Sequence, residues 1–248
     1  MKHAAQDKAV VRSALYDLLS LAFAYPEKGT ATHLKKRTED LQAADLKLGR
    51  REIGTRLTEL SRLTQSLDDE ALLAQYVDTF GHSVSSHCPP YEGEYGQAHI
   101  FQKAQTLADL NSFYQAFGMK LNPELKDRPD HLSVEMEFMG LLALKEAYAR
   151  ARNHGRSKVS ICRRAQRRFL DQHLSTWVKG FARRLNRKAA PGGIYLSLSA
   201  LLDVFIDCEL HAFRIDVGPI PEITPTSPPE GDVTCEVSSL SPTTSREG

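Results

Sequence analysis

Cysteine is scarce in this 248-residue chain, and Cys88, Cys162, Cys208 and Cys235 stand far apart with no C-x-x-C pair. That spacing excludes a disulfide framework and suits the reduced thiols of a cytoplasmic protein. No uninterrupted apolar run reaches the about 18 residues that a membrane helix needs. The N-terminal stretch, broken by Arg12 and Asp17, has no small-residue cleavage site behind a clean apolar region, so a signal peptide is not expected either. Charge of one sign is also lacking. The 32 Lys and Arg against 31 Asp and Glu leave a net +1, which argues against a surface built throughout for nucleic acid or anionic lipid. A Gly-rich phosphate loop, a G-x-S-x-G elbow and an H-E-x-x-H helix are all absent, and with them the commonest signatures of nucleotide, acyl-transfer and zinc chemistry.

What is present is helical spacing. The composition, 41% hydrophobic and 25% charged, is that of a chain able to bury a core. Val11, Leu15, Leu18 and Ala22 recur at intervals of three and four, and Pro26 stops that helix. Two surface helices follow over about 30–65, hinged at Gly49. Ser66 with Asp69 resembles a capping box opening a helix that ends at Gly81. After a loop at 81–96, a stripe from Ile100 to Phe117 ends at Gly118. Val134, Phe138, Leu141, Leu144 and Tyr148 mark a strong helix, a basic helix covers about Ser157–Lys188, and Leu198, Leu202, Phe205 and Ala212 mark the last core helix. No alternating strand is evident. The fold predicted is all-α, a single helical-bundle-like domain over 1–217, followed by a disordered Pro/Ser/Thr-rich tail over 218–248 that has too few large apolar residues to offset the entropy of ordering.

Three constellations carry candidate chemistry. The turn Asp127-Arg128-Pro129-Asp130-His131 leads into a helix with Glu135 one turn below His131. Asp130 or Ser133 is placed to cap that helix, while Asp130 and His131 could also meet an extended ligand at its N-terminus. The loop from His87 to Gly96 sets Tyr91 and Tyr95 beside Glu92 and Glu94 on a backbone stiffened by Pro89 and Pro90, a combination suited to a basic, partly apolar peptide. Cys88 in the same loop reads as a packing residue. The third is the arginine-rich segment 150–188, opposed only by Asp171.

The Pro89-Pro90-Tyr91-Glu92-x-x-Tyr95-Gly96 loop, the helix through Leu107-Ala108-Asp109, Phe113-Tyr114 and Phe117-Gly118, and Arg128-Pro129-Asp130-His131 with Glu135-Met136-Glu137-Phe138-Met139 together resemble the TorD/DmsD/NarJ family of cytoplasmic molybdoenzyme maturation chaperones. Within it the chain looks most like the branch serving type II dimethyl sulfoxide reductase relatives. Family members commonly read Glu-Pro-x-Asp-His where this chain has Arg-Pro-Asp-His.

The resemblance implies a non-enzymatic, TorD-like helical domain without a cofactor. Its partner would be the catalytic molybdoenzyme subunit of the DMSO reductase family, bound through an N-terminal, twin-arginine leader and retained until molybdopterin is inserted. No nucleic acid partner and no stable membrane insertion are implied, and the chain would be a monomer or homodimer. The expected peptide-binding residues are Tyr91, Glu92, Glu94, Tyr95, Arg128, Pro129, Asp130, His131, Glu135 and Phe138, with a groove between the 81–96 loop and the 127–139 turn and helix start. The rival readings are a metal-dependent hydrolase using His131 with nearby carboxylates, and an RNA-binding protein using the basic segment.

Overall fold

The structure is a computed structural model that describes residues 2–45, 51–81, 88–95, 100–121 and 128–217. The predicted hinge at Gly49, the candidate residue Asp127 and the 218–248 tail lie outside the described residues. Among the described residues there are nine α-helices and no strand: α1 Lys2–Phe23, α2 Thr30–Asp45, α3 Arg51–Thr64, α4 Asp69–Phe80, α5 Ile100–Ala116, α6 Leu132–Ala151, α7 Gly155–Phe169, α8 Ser175–Lys188 and α9 Ile194–Phe213. A short 3₁₀ turn, Glu92–Glu94, precedes α5, and a π-helical turn, Leu170–Leu174, joins α7 to α8. No described helix is long and apolar enough to cross a membrane.

The fold is built on the long pairing of α1 with α6. Gly140 sets their closeness: a Cβ there would lie 3.3 Å from Tyr16 Cβ, and the approach lets Ser13 Oγ donate to Gly140 O at 2.9 Å and Ser20 Oγ to Ser133 O at 2.8 Å. Around this pair α7 packs on α6, α2 on α1, and α9 on α3 and α8. Aromatic edges knit the layers. Phe80 and Tyr195 meet edge to face at 5.1 Å between centroids, and Phe138 lies 4.8 Å from Phe169 and 4.9 Å from Tyr114.

A charged network is buried with them. Arg12 on α1 grips the Glu209 carboxylate of α9 through Nε at 2.7 Å, and its Nη2 donates to Gln166 Oε1 of α7 at 2.7 Å. Tyr16 donates its hydroxyl to Glu209 at 2.9 Å, and Glu146 of α6 accepts from Arg150 and Gln166.

The caps differ in detail from those expected. Asp68, not Ser66, caps α4, accepting from Ala71 N at 2.8 Å. Asp69 turns away to accept from Gly29 and Ala31 at the start of α2, and these backbone bonds lower its pKa. Gly81 and Gly118 close α4 and α5 with φ of 78° and 76°, positive values that glycine adopts without penalty. The basic helix is two helices, because the π turn resets the register so that Phe169, Trp177 and Phe181 all point inward.

Candidate functional site

The 88–95 segment and the 128–131 turn, between which a groove was expected, are joined along their backbones. Glu92 N donates to Asp130 O at 2.9 Å, Leu132 N donates to Pro90 O at 2.9 Å, and Tyr91 faces His131 as an isolated antiparallel bridge. The Asp130 carboxylate closes the junction. It accepts from Arg128 at 2.9 Å and 2.7 Å and from Gly93 N at 3.1 Å, and a Cβ on residue 93 would sit 3.0 Å from it. Arg128 also stacks over the Tyr91 ring, 4.5 Å from its centroid, and reaches Glu94, which Lys103 pairs at 3.0 Å. Pro129 offers its carbonyl to Tyr114 Oη at 2.7 Å.

His131 is the N-cap of α6, a role the sequence had given to Asp130 or Ser133. Its Nδ1 accepts from Ser133 N at 3.1 Å, which puts the ring proton of the neutral form on Nε2. Asp130 and His131 are 1% and 2% exposed, so neither projects toward a ligand as expected; they hold the shape of the junction from inside. Tyr95, Glu135 and Phe138 are buried as well. Phe138 fills the core among Phe113, Tyr114, Phe117 and Phe169. Cys88 is fully buried, with burial pushing its thiol up to about 12, which leaves a packing thiol and not a nucleophile. Of the ten expected residues, Tyr91, Glu92, Glu94, Arg128 and Pro129 retain some exposure.

A cleft of about 830 Å³ lies between the 3₁₀ turn, α5 and the start of α8. Its floor is a chain of three titratable groups. His173 Nδ1 faces Glu92 at 3.0 Å and His173 Nε2 faces Asp109 at 3.2 Å. The ring can donate to both carboxylates only as an imidazolium. His173 sits in the π turn, whose widened register sets the imidazole between helices. Tyr95 and Trp177, 5.3 Å apart, form the apolar end, and Gln172 and Lys103 stand on the rim. Burial raises the Glu92 pKa; its bond to His173 acts in the opposite direction, and Asp130 and Asp109 add to the rise.

Beneath this floor lies Glu135, fully buried. One oxygen accepts from Trp177 Nε1 at 3.4 Å, and the other has no hydrogen-bond partner among the described residues. Burial and the nearby Glu92 hold its carboxyl well above the usual range, against the Trp177 bond. A carboxyl whose folded-state pKa is raised contributes stability that is fully present below the ordinary Glu value of about 4.3 and lost as pH rises through the raised one. Glu135→Gln, which keeps the acceptor for Trp177, should therefore flatten the alkaline fall of stability. Urea unfolding between about pH 5 and 9 checks this. A slope as steep as the parent's would place the titration elsewhere.

A model of the nitrate reductase delta subunit family matches residues 46–183, more than half the chain and every residue of the junction and cleft. The chain belongs to that family. Among curated relatives, the selenate reductase assembly chaperone protein of Thauera selenatis is 37% identical over 135 residues, spanning 53% of this chain and 66% of the relative. The perchlorate reductase assembly chaperone protein of Dechloromonas aromatica is 28% identical over 220 residues, 86% of this chain and 94% of the relative. Chaperone protein TorD of Vibrio cholerae is 30% identical over 164 residues, 65% of this chain and 71% of the relative.

Sequence reading missed four residues of this cleft: Lys103, Gln172, His173 and Trp177. His173 lies 81 positions from the Glu92 it contacts, inside a stretch dominated by arginine. A histidine two residues after Asp171, the only acid of the 150–188 segment, and the only tryptophan one turn later were the available signals. Among the described residues, no group of three or more His, Cys, Asp or Glu gathers that could hold a metal ion.

Proposed function

We propose that this TorD-like family member is an assembly chaperone and not an enzyme. On this reading it acts in the cytoplasm and holds the N-terminal, twin-arginine leader of a molybdopterin-containing catalytic subunit of the DMSO reductase family while the cofactor is inserted. The supporting observation is the cleft floored by Glu92, His173 and Asp109 with Tyr95 and Trp177 at one end. A guanidinium entering it would find a half-exposed carboxylate on Asp109 and a second on Glu92, giving charge-assisted bonds in a partly dry site. The apolar stretch that follows the arginines in such a leader would meet the aromatic end. Arg128, Pro129, Asp130, His131 and Glu135 then act as positioning residues: they fix the 3₁₀ turn that carries Glu92, and the leader does not touch the buried ones.

Asp109→Asn is the cleanest probe, because the side chain is 45% exposed and its loss should leave the fold intact. Removing one charge-assisted bond should weaken binding by roughly 1.5–3 kcal/mol, or about 10- to 150-fold. Calorimetry with a synthetic leader carrying two adjacent arginines before an apolar stretch measures this, with thermal melting as the folding control. A leader with both arginines changed to lysine should also bind more weakly, since lysine lacks the planar fork. Unchanged affinity in both Asp109→Asn and Glu92→Gln would remove the leader from this cleft.

A further inference from the structure

A second concavity, independent of the leader reading, lies where the start of α7 meets the end of α9. It encloses about 900 Å³, and six arginines line it: Arg150, Arg156, Arg163, Arg164, Arg167 and Arg214. No acidic side chain is among its lining residues. Arg150 and Arg163 are partly neutralised by Glu146 at 2.6 Å and 3.3 Å. Arg156, Arg164, Arg167 and Arg214 are exposed and have no acidic partner among the described residues. The first turn of α7, at Gly155, opens on the same cleft without a side-chain cap, adding unpaired backbone N–H groups to the positive field. Such a concentration of unpaired positive charge attracts anions, and exposed cations this close repel one another unless something covers them.

The chain also carries an acidic segment. Residues 218–248 contain five acids, Glu222, Glu230, Asp232, Glu236 and Glu247, against the single base Arg246. The overall charge of +1 is therefore a positive body balanced by a negative segment. The described residues that lead to it run beside the cleft. Phe213 and Arg214 belong to the lining, and Ile215 and Val217 pack on the core just beyond them. Glu222 is five residues past Val217, a reach of about 17 Å for extended chain, and the later acids reach farther. A short tether presents its acids at an effective concentration of order millimolar, enough to occupy a site of modest intrinsic affinity.

We propose that the acidic 218–248 segment docks in this arginine cleft and screens it from other polyanions. Near-neutral overall charge favours this occupant over nucleic acid, which would require the positive field to stand uncancelled. The contact is autoinhibitory: a more acidic partner must displace the segment before it reaches the arginines.

The test uses the full chain beside a full-length variant with Glu222→Gln, Glu230→Gln, Asp232→Asn and Glu236→Gln, and a labelled oligothymidylate as the probe polyanion. The neutralised variant should bind the probe at least ~10-fold more tightly at low salt, with an affinity that falls steeply as salt rises. Amide hydrogen exchange over 155–167 should be faster in it than in the parent, and a synthetic peptide of residues 218–248 should reverse both changes. Adding Arg164→Gln and Arg167→Gln to the neutralised chain should abolish the gain. Equal probe binding by parent and neutralised chains, or equal exchange over 155–167, overturns the proposal. So does a gain that survives loss of the two arginines.

Discussion

Arg12→Met should destabilise the fold by about 3–5 kcal/mol, the usual penalty for removing one partner of a buried ion pair. Arg12 is the charge that joins α1, α7 and α9. Its guanidinium is nearly buried, and although burial opposes its charge, Glu209 and Glu146 more than restore it. Without it Glu209 keeps, among the described residues, only the Tyr16 hydroxyl, a neutral donor in place of a bidentate fork. Glu146 fares better, because Arg150 and Arg163 remain. At about 2–4 °C per kcal/mol for a domain of this size, the melting temperature should fall by about 10 °C.

Acid should narrow the gap between parent and variant. The Glu146 pKa is lowered in the folded state: burial raises it, but the bonds from Arg150 and Gln166 and the charge of Arg12 outweigh that. A carboxylate with a depressed pKa contributes stability above its ordinary value of about 4.3 and loses it as pH falls through the folded value. Part of what Arg12 supplies is therefore already gone in the parent at low pH. Arg12→Lys should fall between the two, since an ammonium keeps the charge without the fork. A loss below about 1 kcal/mol for Arg12→Met would mean that α1 and α9 are held by their apolar contacts alone.

How far the sequence reaches is visible in the same residues. Val11, Leu15, Leu18 and Ala22 announce α1 because a helix repeats its buried face every three to four residues, and Gly81 and Gly118 announce helix ends because they can adopt positive φ. Arg12 lies between Val11 and Leu15 on that helix and read only as an interruption of an apolar stretch. Periodicity says which face is buried, not what it meets, so the Glu209 partner 197 positions away was illegible. The functional region was legible in outline for a different reason: Glu92, Tyr95 and Asp130 are crowded near turns whose composition exceeds what turning requires. Their division of labour was not legible. Asp130 looked available for a ligand arginine, yet Arg128 two residues earlier supplies that arginine internally.

Phe138 puts that division to a measurement. As an expected peptide contact it would be exposed, but it is fully buried, with its ring 4.8–6.3 Å from those of Phe113, Tyr114, Phe117 and Phe169. Phe138→Ala should therefore destabilise by about 3–5 kcal/mol, the transfer of the lost ring plus the cavity left where α5, α6 and α7 meet. Phe138→Leu leaves most of the volume filled and should cost about 1.5 kcal/mol or less. The two roles separate in the milder variant. A core residue gives Phe138→Leu a lowered denaturation midpoint with leader affinity unchanged, because the cleft floor is carried by α5, the 3₁₀ turn and the π turn. A peptide contact gives the reverse, an affinity loss near tenfold with little change in stability. Urea unfolding and calorimetry on the one variant read both quantities, and the second pattern would move the leader site from the cleft into the aromatic core.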